Sequence, residues 1–217
     1  THLALQFNKI PMPATYVVSS PEAAKKILEQ VNYPIVLKFP QGTQGKGVMF
    51  ADSFASASSV LDAVETLKMP FLIQEYVETD GSDMRAFVIG EKVVAAVKRK
   101  AVVGEKRANI HAGATGEEVV LDSTTKKIAI KTAKAIGCGI CAVDMLEGVK
   151  GAEVIEANLS PGLQGITDIT GKDIAGEIAK YLHEQSVAIS EKDKSKETDA
   201  MLNRLGVPTS ERGSTAG

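Results

Sequence analysis

The spacing of apolar residues switches repeatedly between a helical period and a strand period. In "SSPEAAKKILEQV" (19–31) they recur at helical spacing. Ser20 is placed to cap that helix, with Pro21 at its first position and Glu22 in its first turn. "YPIVLKF" (33–39) and "GVMFA" (47–51) are short β-rich runs either side of a glycine-rich loop. "SFASASSVLDAVETL" (53–67) predicts a helix that ends before Pro70, and "FLIQEYV" (71–77) a strand. "MRAFVIGEKVVAAVKRKA" (84–101) predicts a hairpin turning at Gly90-Glu91. "STTKKIAIKTAKAIG" (123–137) predicts a helix with Asp122 or Ser123 as cap and Gly137 as its stop. "CAVDMLEGVKGAEVIEANL" (141–159) predicts a second hairpin, and "DIAGEIAKYLHEQSVAI" (173–189) a last helix. Residues 190–217 are polar and charged and read as a disordered tail or linker. Hairpins mixed with helices, without strict βαβ repetition, predict an α+β protein with two small sheets, helices behind each and a cleft between them.

Composition narrows the function classes. The 217 residues are 44% hydrophobic and 24% charged, with a formal net charge of -2. So small a net charge gives no general drive toward nucleic acid or an anionic membrane. No apolar run approaches the roughly 20 residues of a membrane span, and the start does not read as a signal peptide. A cytoplasmic setting is expected. Cys138 and Cys141 have C-x-x-C spacing but lack a second cysteine pair or suitably spaced histidines. They read as buried reduced thiols, with redox or metal work the alternative.

"FPQGTQGKGVMF" (39–50) carries Gly42, Gly45 and Gly47. It does not match the Walker pattern, and it runs into a strand where a Rossmann turn would run into a helix. Two readings remain: a hairpin loop whose bare backbone closes over phosphates, with Thr43, Gln44 and Lys46 adding donors, or a plain surface hairpin with glycine at turn positions. Lys38 favours the first, because it interrupts an apolar strand just before the loop and a buried lysine needs a partner such as a phosphate. A snorkelling surface lysine is the alternative.

The second hairpin carries acidic chemistry. Asp144 lies six residues before Lys150 and Glu156 six after it, so a hairpin centred there sets them opposite each other. Asn158 then shares the face of Glu156, while Val143, Ile155 and Ala157 turn into a core. Facing carboxylates repel unless a cation bridges them, and an Asp, Glu and Asn oxygen set suits Mg²⁺ or Mn²⁺ rather than zinc. A solvated acidic face is the plain alternative. "NLSPGLQG" (158–165) follows as a turn whose Ser160, Gly162 and Gly165 offer further anion donors. In "IQEYVETDGSDMRAF", Gln74, Glu75 and Tyr76 end a strand, Asp83 follows a short loop, and Arg85 stands two residues on. A strand edge there can read adenine, and Asp83 or Glu75 can take ribose hydroxyls. Lys98, Arg99, Lys100, Lys106, Arg107 and His111 form a local basic stretch, suited to phosphates or an acidic substrate, or simply a solvated basic face.

Taken in order and spacing, "VLKFPQGTQGKGV", "IQEYV", "GSDMRAFVIG", "RANIHAGA", "AVDML" and "EVIEANLSPGLQGI" resemble the ATP-grasp ligases, and among them the RimK-type glutamate ligases. The resemblance covers roughly residues 1–188. It implies an ATP-grasp fold, with nucleotide between a small lobe at about 14–75 and a large lobe at about 76–189, so that 1–189 is the domain and 190–217 a tail. It implies an ADP-forming ligase: ATP phosphorylates a carboxylate, and an amine attacks the acyl phosphate. L-glutamate would be added to an acceptor carboxylate on a protein C-terminus or a glutamate chain. A ligase acting on a pterin or deazaflavin coenzyme, and a non-catalytic ATP-binding regulator, are the alternatives.

By position, Lys38, Gly42, Gly45, Lys46 and Gly47 would meet the phosphates, Gln74, Glu75 and Tyr76 adenine, and Asp83 the ribose. Arg107, Ala108 and Asn109 would line the phosphate and intermediate site, with Arg107, Asn109 and Arg85 catalytic, and Asp144, Glu156 and Asn158 would hold Mg²⁺ or Mn²⁺. RimK-type chains carry a preceding domain and an earlier nucleotide-binding lysine, and neither is expected within these 217 residues. Neither nucleic acid nor membrane is expected as a partner, and a homo-oligomer is compatible with this reading. If the glycine loop closes over phosphates, amide exchange across residues 40–47 is expected to slow on adding a non-hydrolysable ATP analogue; unchanged protection contradicts it.

Overall fold

A computed structural model describes residues 1–39, 47–65, 70–101 and 115–204. Thr1–Ile174 form one compact unit, and the chain from Ala175 onward forms a second. The first unit holds two sheets. One comprises β1 (Thr15–Val18), β2 (Ile35–Lys38), β3 (Val48–Ala51) and β4 (Phe71–Glu75), in the order β1-β4-β2-β3. The other comprises β5 (Ser82–Ile89), β6 (Lys92–Lys100), β7 (Thr115–Glu118), β8 (Ile140–Gly148) and β9 (Gly151–Asn158), in the order β7-β6-β5-β8-β9. Every described pairing is antiparallel, as the α+β reading requires.

Each sheet buries one face under helices. On the first, α2 (Pro21–Leu28) and α3 (Phe54–Glu65) bring Ala24, Leu28, Ala57 and Leu61 against Val18, Ile35, Leu37 and Ile73. On the second, α4 (Ser123–Ala135) brings Ala129 and Ala133 against Met84, Ala86, Val88, Val143, Met145 and Val154. The short α1 (His2–Phe7) adds Leu5 to this second core, and the Val154 amide donates to the Pro11 carbonyl at 2.8 Å. Residues 2–12 therefore pack with the second sheet, although the first sheet follows them in sequence. α5 (Gln164–Thr170) begins within the stretch read as a turn and packs on β6 and β7.

The local signals act as sequence chemistry dictates. Ser20 Oγ accepts the Ala23 amide at 3.2 Å. Asp122, rather than Ser123, caps α4, accepting the Thr124 amide at 2.7 Å and the Thr125 amide at 3.1 Å. Gly137 ends that helix with φ +68°, a conformation a Cβ disfavours. The last helix, α6 (Ile174–Arg204), runs on through residues 190–204, where polar composition predicts a tail. Among the described residues no helix is long and apolar enough to cross a membrane.

Two bulges set the register of the second sheet. In the β5–β6 hairpin Ile89 pairs with Lys92 and Val88 with Val93, but Phe87 pairs with Ala95, so Val94 is the extra residue. In the β8–β9 hairpin Gly148 pairs with Gly151 and Met145 with Val154, but Asp144 pairs with Glu156, so Ile155 is extra. The turn itself is Val149-Lys150. Without the bulge Asp144 would face Ile155. The expected core position of Ile155 is accordingly taken by Val154, which is fully buried, while Ile155 and Ala157 are half-buried.

Ile73 is fully buried at the centre of the first core, on the strand between β1 and β2. Ile73→Ala is expected to lower unfolding free energy by about 2–5 kcal/mol in a urea titration. A loss below about 1 kcal/mol would contradict this packing.

Candidate functional site

Strand alternation gives the second sheet a charged face opposite its α4 core. Met84, Ala86 and Val88 of β5 and Val143 and Met145 of β8 turn to the core. Asp83, Arg85 and Asp144 therefore turn the other way. Register then makes direct cross-strand partners of Asp83 and Arg99, of Arg85 and Asp144, and of Asp144 and Glu156.

The side chains use that register fully. Arg85 grips Asp144 with two parallel bonds, Nε to Oδ1 and Nη2 to Oδ2, both 2.7 Å. Arg99 grips Asp83 the same way at 2.6 Å, and its Nη2 also reaches Asp144 Oδ2 at 3.2 Å. Asn158 Nδ2 donates to that oxygen at 3.4 Å, which puts it on the face expected for it. Asp83, Arg99 and Asp144 are buried at 9, 7 and 3% exposure, so these charges have left water and depend on one another.

The acid strengths follow. Burial pushes Asp144 up, but hydrogen bonds from Arg85 and the Arg99 and Arg85 charges outweigh it and hold the carboxyl below its ordinary value. Burial, with Asp144 adding to it, pushes Asp83 up to about 6 against the pull of Arg99. Burial works against the Arg99 charge, yet Asp144 and Asp83 raise its pKa above the ordinary value. Glu156 faces solvent, but the protein around its carboxylate and the charge of Asp144 raise it.

The first sheet contributes Lys38. Its Nζ donates to Gln74 Oε1 at 2.6 Å, and Gln74 Nε2 donates to Thr15 Oγ1 at 2.8 Å. Burial lowers the Lys38 pKa, opposed by Glu156 and Asp144, so the lysine feels the carboxylates of the other sheet. A lysine tied to a neutral amide keeps ammonium protons for an anion. Gln74, 2% exposed, commits both ends of its side-chain amide to that chain of bonds. Glu75 ends β4, with Oε1 3.4 Å from Lys150 of the β8–β9 turn. Tyr76 stands edge-on to Phe50, ring centroids 6.0 Å apart. Gly148 abuts Val77: a Cβ there would lie 2.6 Å from Val77 Cγ1.

Several expectations change. Arg99 engages both oxygens of Asp83, the residue expected at the ribose, with one bond to each. Arg99 itself is no part of a basic surface stretch but is buried in the carboxylate network. Sequence counting misses that role, because counting back from the Gly90-Glu91 turn sets Lys98 opposite Asp83; the Val94 bulge moves Arg99 there. His2 carries no sequence signal, yet its buried Nε2 has no partner among the described residues, and its pKa is lowered by burial and by Lys38. Gly47 is described: its φ is +78°, and a Cβ there would lie 3.1 Å from Phe39 Cδ2. Gly42, Gly45, Lys46, Arg107, Ala108 and Asn109 lie outside the described residues.

The donor set fits a hard divalent cation. Glu156 makes no hydrogen bond to a described residue, Asp144 is ionised and fixed beside it, and Asn158 adds an amide oxygen. Among the described residues no group of three His, Cys, Asp or Glu is clustered for a metal. Such a cation would therefore take its remaining ligands from water or substrate oxygens, as Mg²⁺ commonly does.

A family model described as the RimK-like ATP-grasp domain matches residues 1–182. A Vibrio cholerae serotype O1 protein named "Probable alpha-L-glutamate ligase" is 42% identical over 189 residues, covering 86% of this chain and 63% of its own. This chain thus spans just under two thirds of that relative's length. The crystal structure of a RimK domain ATP-grasp protein from Sphaerobacter thermophilus superposes with a TM-score of 0.66 at 24% identity, covering 83% of this chain and 64% of that one. The ATP-grasp ligase PsnB, solved with a minimal precursor, Mg and ADP, gives 0.69 at 20% identity, covering 85 and 56%. With a family match over residues 1–182, the chain belongs to the RimK-like ATP-grasp domain family.

Proposed function

We propose that this chain is the nucleotide- and metal-binding part of an ADP-forming carboxylate–amine ligase that attaches L-glutamate to the carboxylate of a protein C-terminus or a glutamate chain. One observation carries the reading: register sets Asp144 opposite Glu156 with Asn158 beside them on one sheet, and Lys38, held by Gln74, ends a strand of the other. That gives carboxylates for a cation and a cation for phosphates. The family membership and the names of the curated relatives support ligation and glutamate.

The residues divide the work. A bound Mg²⁺ or Mn²⁺ supplies charge neutralisation at the phosphates. Asp144, Glu156 and Asn158 would hold it. Lys38 presents its ammonium to the phosphate oxygens from its anchor on Gln74. Glu75 and Tyr76, at the end of β4, border the base, with Lys150 paired to Glu75 and Gly148 against the neighbouring Val77. Arg85 faces the anionic carboxylate or phosphoryl oxygens, and Arg107 to Asn109 are assigned to the same intermediate. An acyl phosphate needs a carboxylate to approach an already anionic γ-phosphate, and fixed positive charges lower that barrier.

Glu156→Gln is expected to leave the fold intact, since it removes one of two facing carboxylates, and to lower ligase turnover about 100-fold or more. Product mass after incubation with ATP, Mg²⁺, glutamate and candidate acceptors reads the turnover; wild-type turnover and magnesium dependence in the variant would refute the assignment.

The pH dependence has a defined sign. The carboxyl of Glu156 is raised, so as pH falls it protonates before an ordinary glutamate does. The magnesium concentration for half-maximal turnover should therefore rise as pH falls toward the acid limb, and Glu156→Gln should lack that limb. The same pH dependence in both proteins would show that another group controls it.

A further inference from the structure

We propose that Arg85 is an exchangeable partner of Asp144: a divalent cation entering at Asp144 and Glu156 displaces its guanidinium, which then turns to an anionic oxygen of the metal-bound substrate. The inference rests on the metal assignment above and adds a coupling between cation binding and the position of one arginine.

The bonds of Asp144 make the competition explicit. Oδ1 accepts from Arg85 Nε, while Oδ2 accepts from Arg85 Nη2, Arg99 Nη2 and Asn158 Nδ2. A cation on either oxygen draws on the same carboxylate beside a fixed positive charge. Strand order decides the direction of the pull. Arg85 stands on β5, Asp144 on β8 and Glu156 on β9, in that spatial order. A cation shared by Asp144 and Glu156 therefore draws the carboxylate toward β9, away from the strand that carries Arg85.

The two arginines are not equivalent. Arg99 is 9% exposed at its side chain and spends two bonds on Asp83, so moving it would leave a second buried carboxylate unpaired. Arg85 is 26% exposed at its side chain, and among the described residues its hydrogen bonds go to Asp144 alone. Its Nη1 donors are uncommitted to any described residue. Releasing Arg85 breaks one pair; releasing Arg99 breaks two. Arg99 is thus the fixed support of Asp144, and Arg85 the partner that can leave.

The test is Mn²⁺ binding to the full chain with no nucleotide, read from the electron paramagnetic resonance of free Mn²⁺. Arg85→Met is expected to bind Mn²⁺ about tenfold more tightly than the wild type, about 1.4 kcal/mol, with Arg85→Lys in between. If Arg85 only supports the fold, its loss leaves affinity unchanged or weaker, and either result overturns the proposal. Glu156→Gln serves as the separate control: equal Mn²⁺ binding by it and the wild type would refute the metal assignment itself, whereas weaker binding upholds it. Where Arg85→Met does not fold, nitrogen-15 spectra of the wild type decide. On saturation with Mg²⁺ the Arg85 Nε–H signal is expected to lose its carboxylate-bound shift while the Arg99 signal keeps its own; retention of both shifts contradicts the exchange.

Discussion

The carboxylate of Asp144 is the constraint around which the site is built. It is ionised and almost wholly removed from water, a state that costs several kcal/mol unless opposite charges and hydrogen bonds surround it. Neighbouring strands supply them. Arg85 stands directly opposite on β5, and Arg99 reaches across from β6 while braced by Asp83. Glu156 sits on the other flank with no arginine of its own, and its proton affinity is raised. The network therefore ends in one carboxylate without a hydrogen-bond partner among the described residues, next to one that is fixed. That combination fits a cation where a fully paired network would not.

The same strands must also close a core. Each alternate residue of β5 and β8 faces α4, and the residues between them carry the charges. A one-residue slip would exchange the two sets and turn Asp144 into the core that Val143 and Met145 occupy. Two bulges, at Val94 and Ile155, fix the alignment in which both faces are satisfied. They lie in the two hairpins that carry Arg99 and Glu156. The chemistry of the site is thus tied to local irregularities of the ladder as much as to its regular part.

Those irregularities separate what is legible in the chain from what is not. Helix caps, turn glycines and apolar periods place the main helices and hairpins, because Ser20, Asp122, Gly90 and Gly137 act through bonds and dihedrals only a few residues away. The Asp144–Glu156 pairing is legible too, though by centring the hairpin on Lys150; the true turn lies half a residue earlier, and the bulge restores the pair. Arg99 escapes because the same kind of count, without its bulge, points to Lys98. The partners of Lys38, Asp83 and Gln74 come from strands that are not sequence neighbours or are set by a bulge, so no local pattern announces them. The polar stretch after Ser190 carries no apolar face to announce a helix, yet α6 continues to Arg204.

The most direct test of the account is to locate the cation. A crystal of the full chain grown with Mn²⁺ and a non-hydrolysable ATP analogue, measured at the manganese absorption edge, gives the ion's position directly. The account predicts one anomalous peak at coordination distance from carboxylate oxygens of both Asp144 and Glu156, about 2.0–2.2 Å, with the amide of Asn158 beside it and phosphate oxygens completing the shell. A peak coordinated elsewhere, with Asp144 and Glu156 bound only to protein, would contradict it.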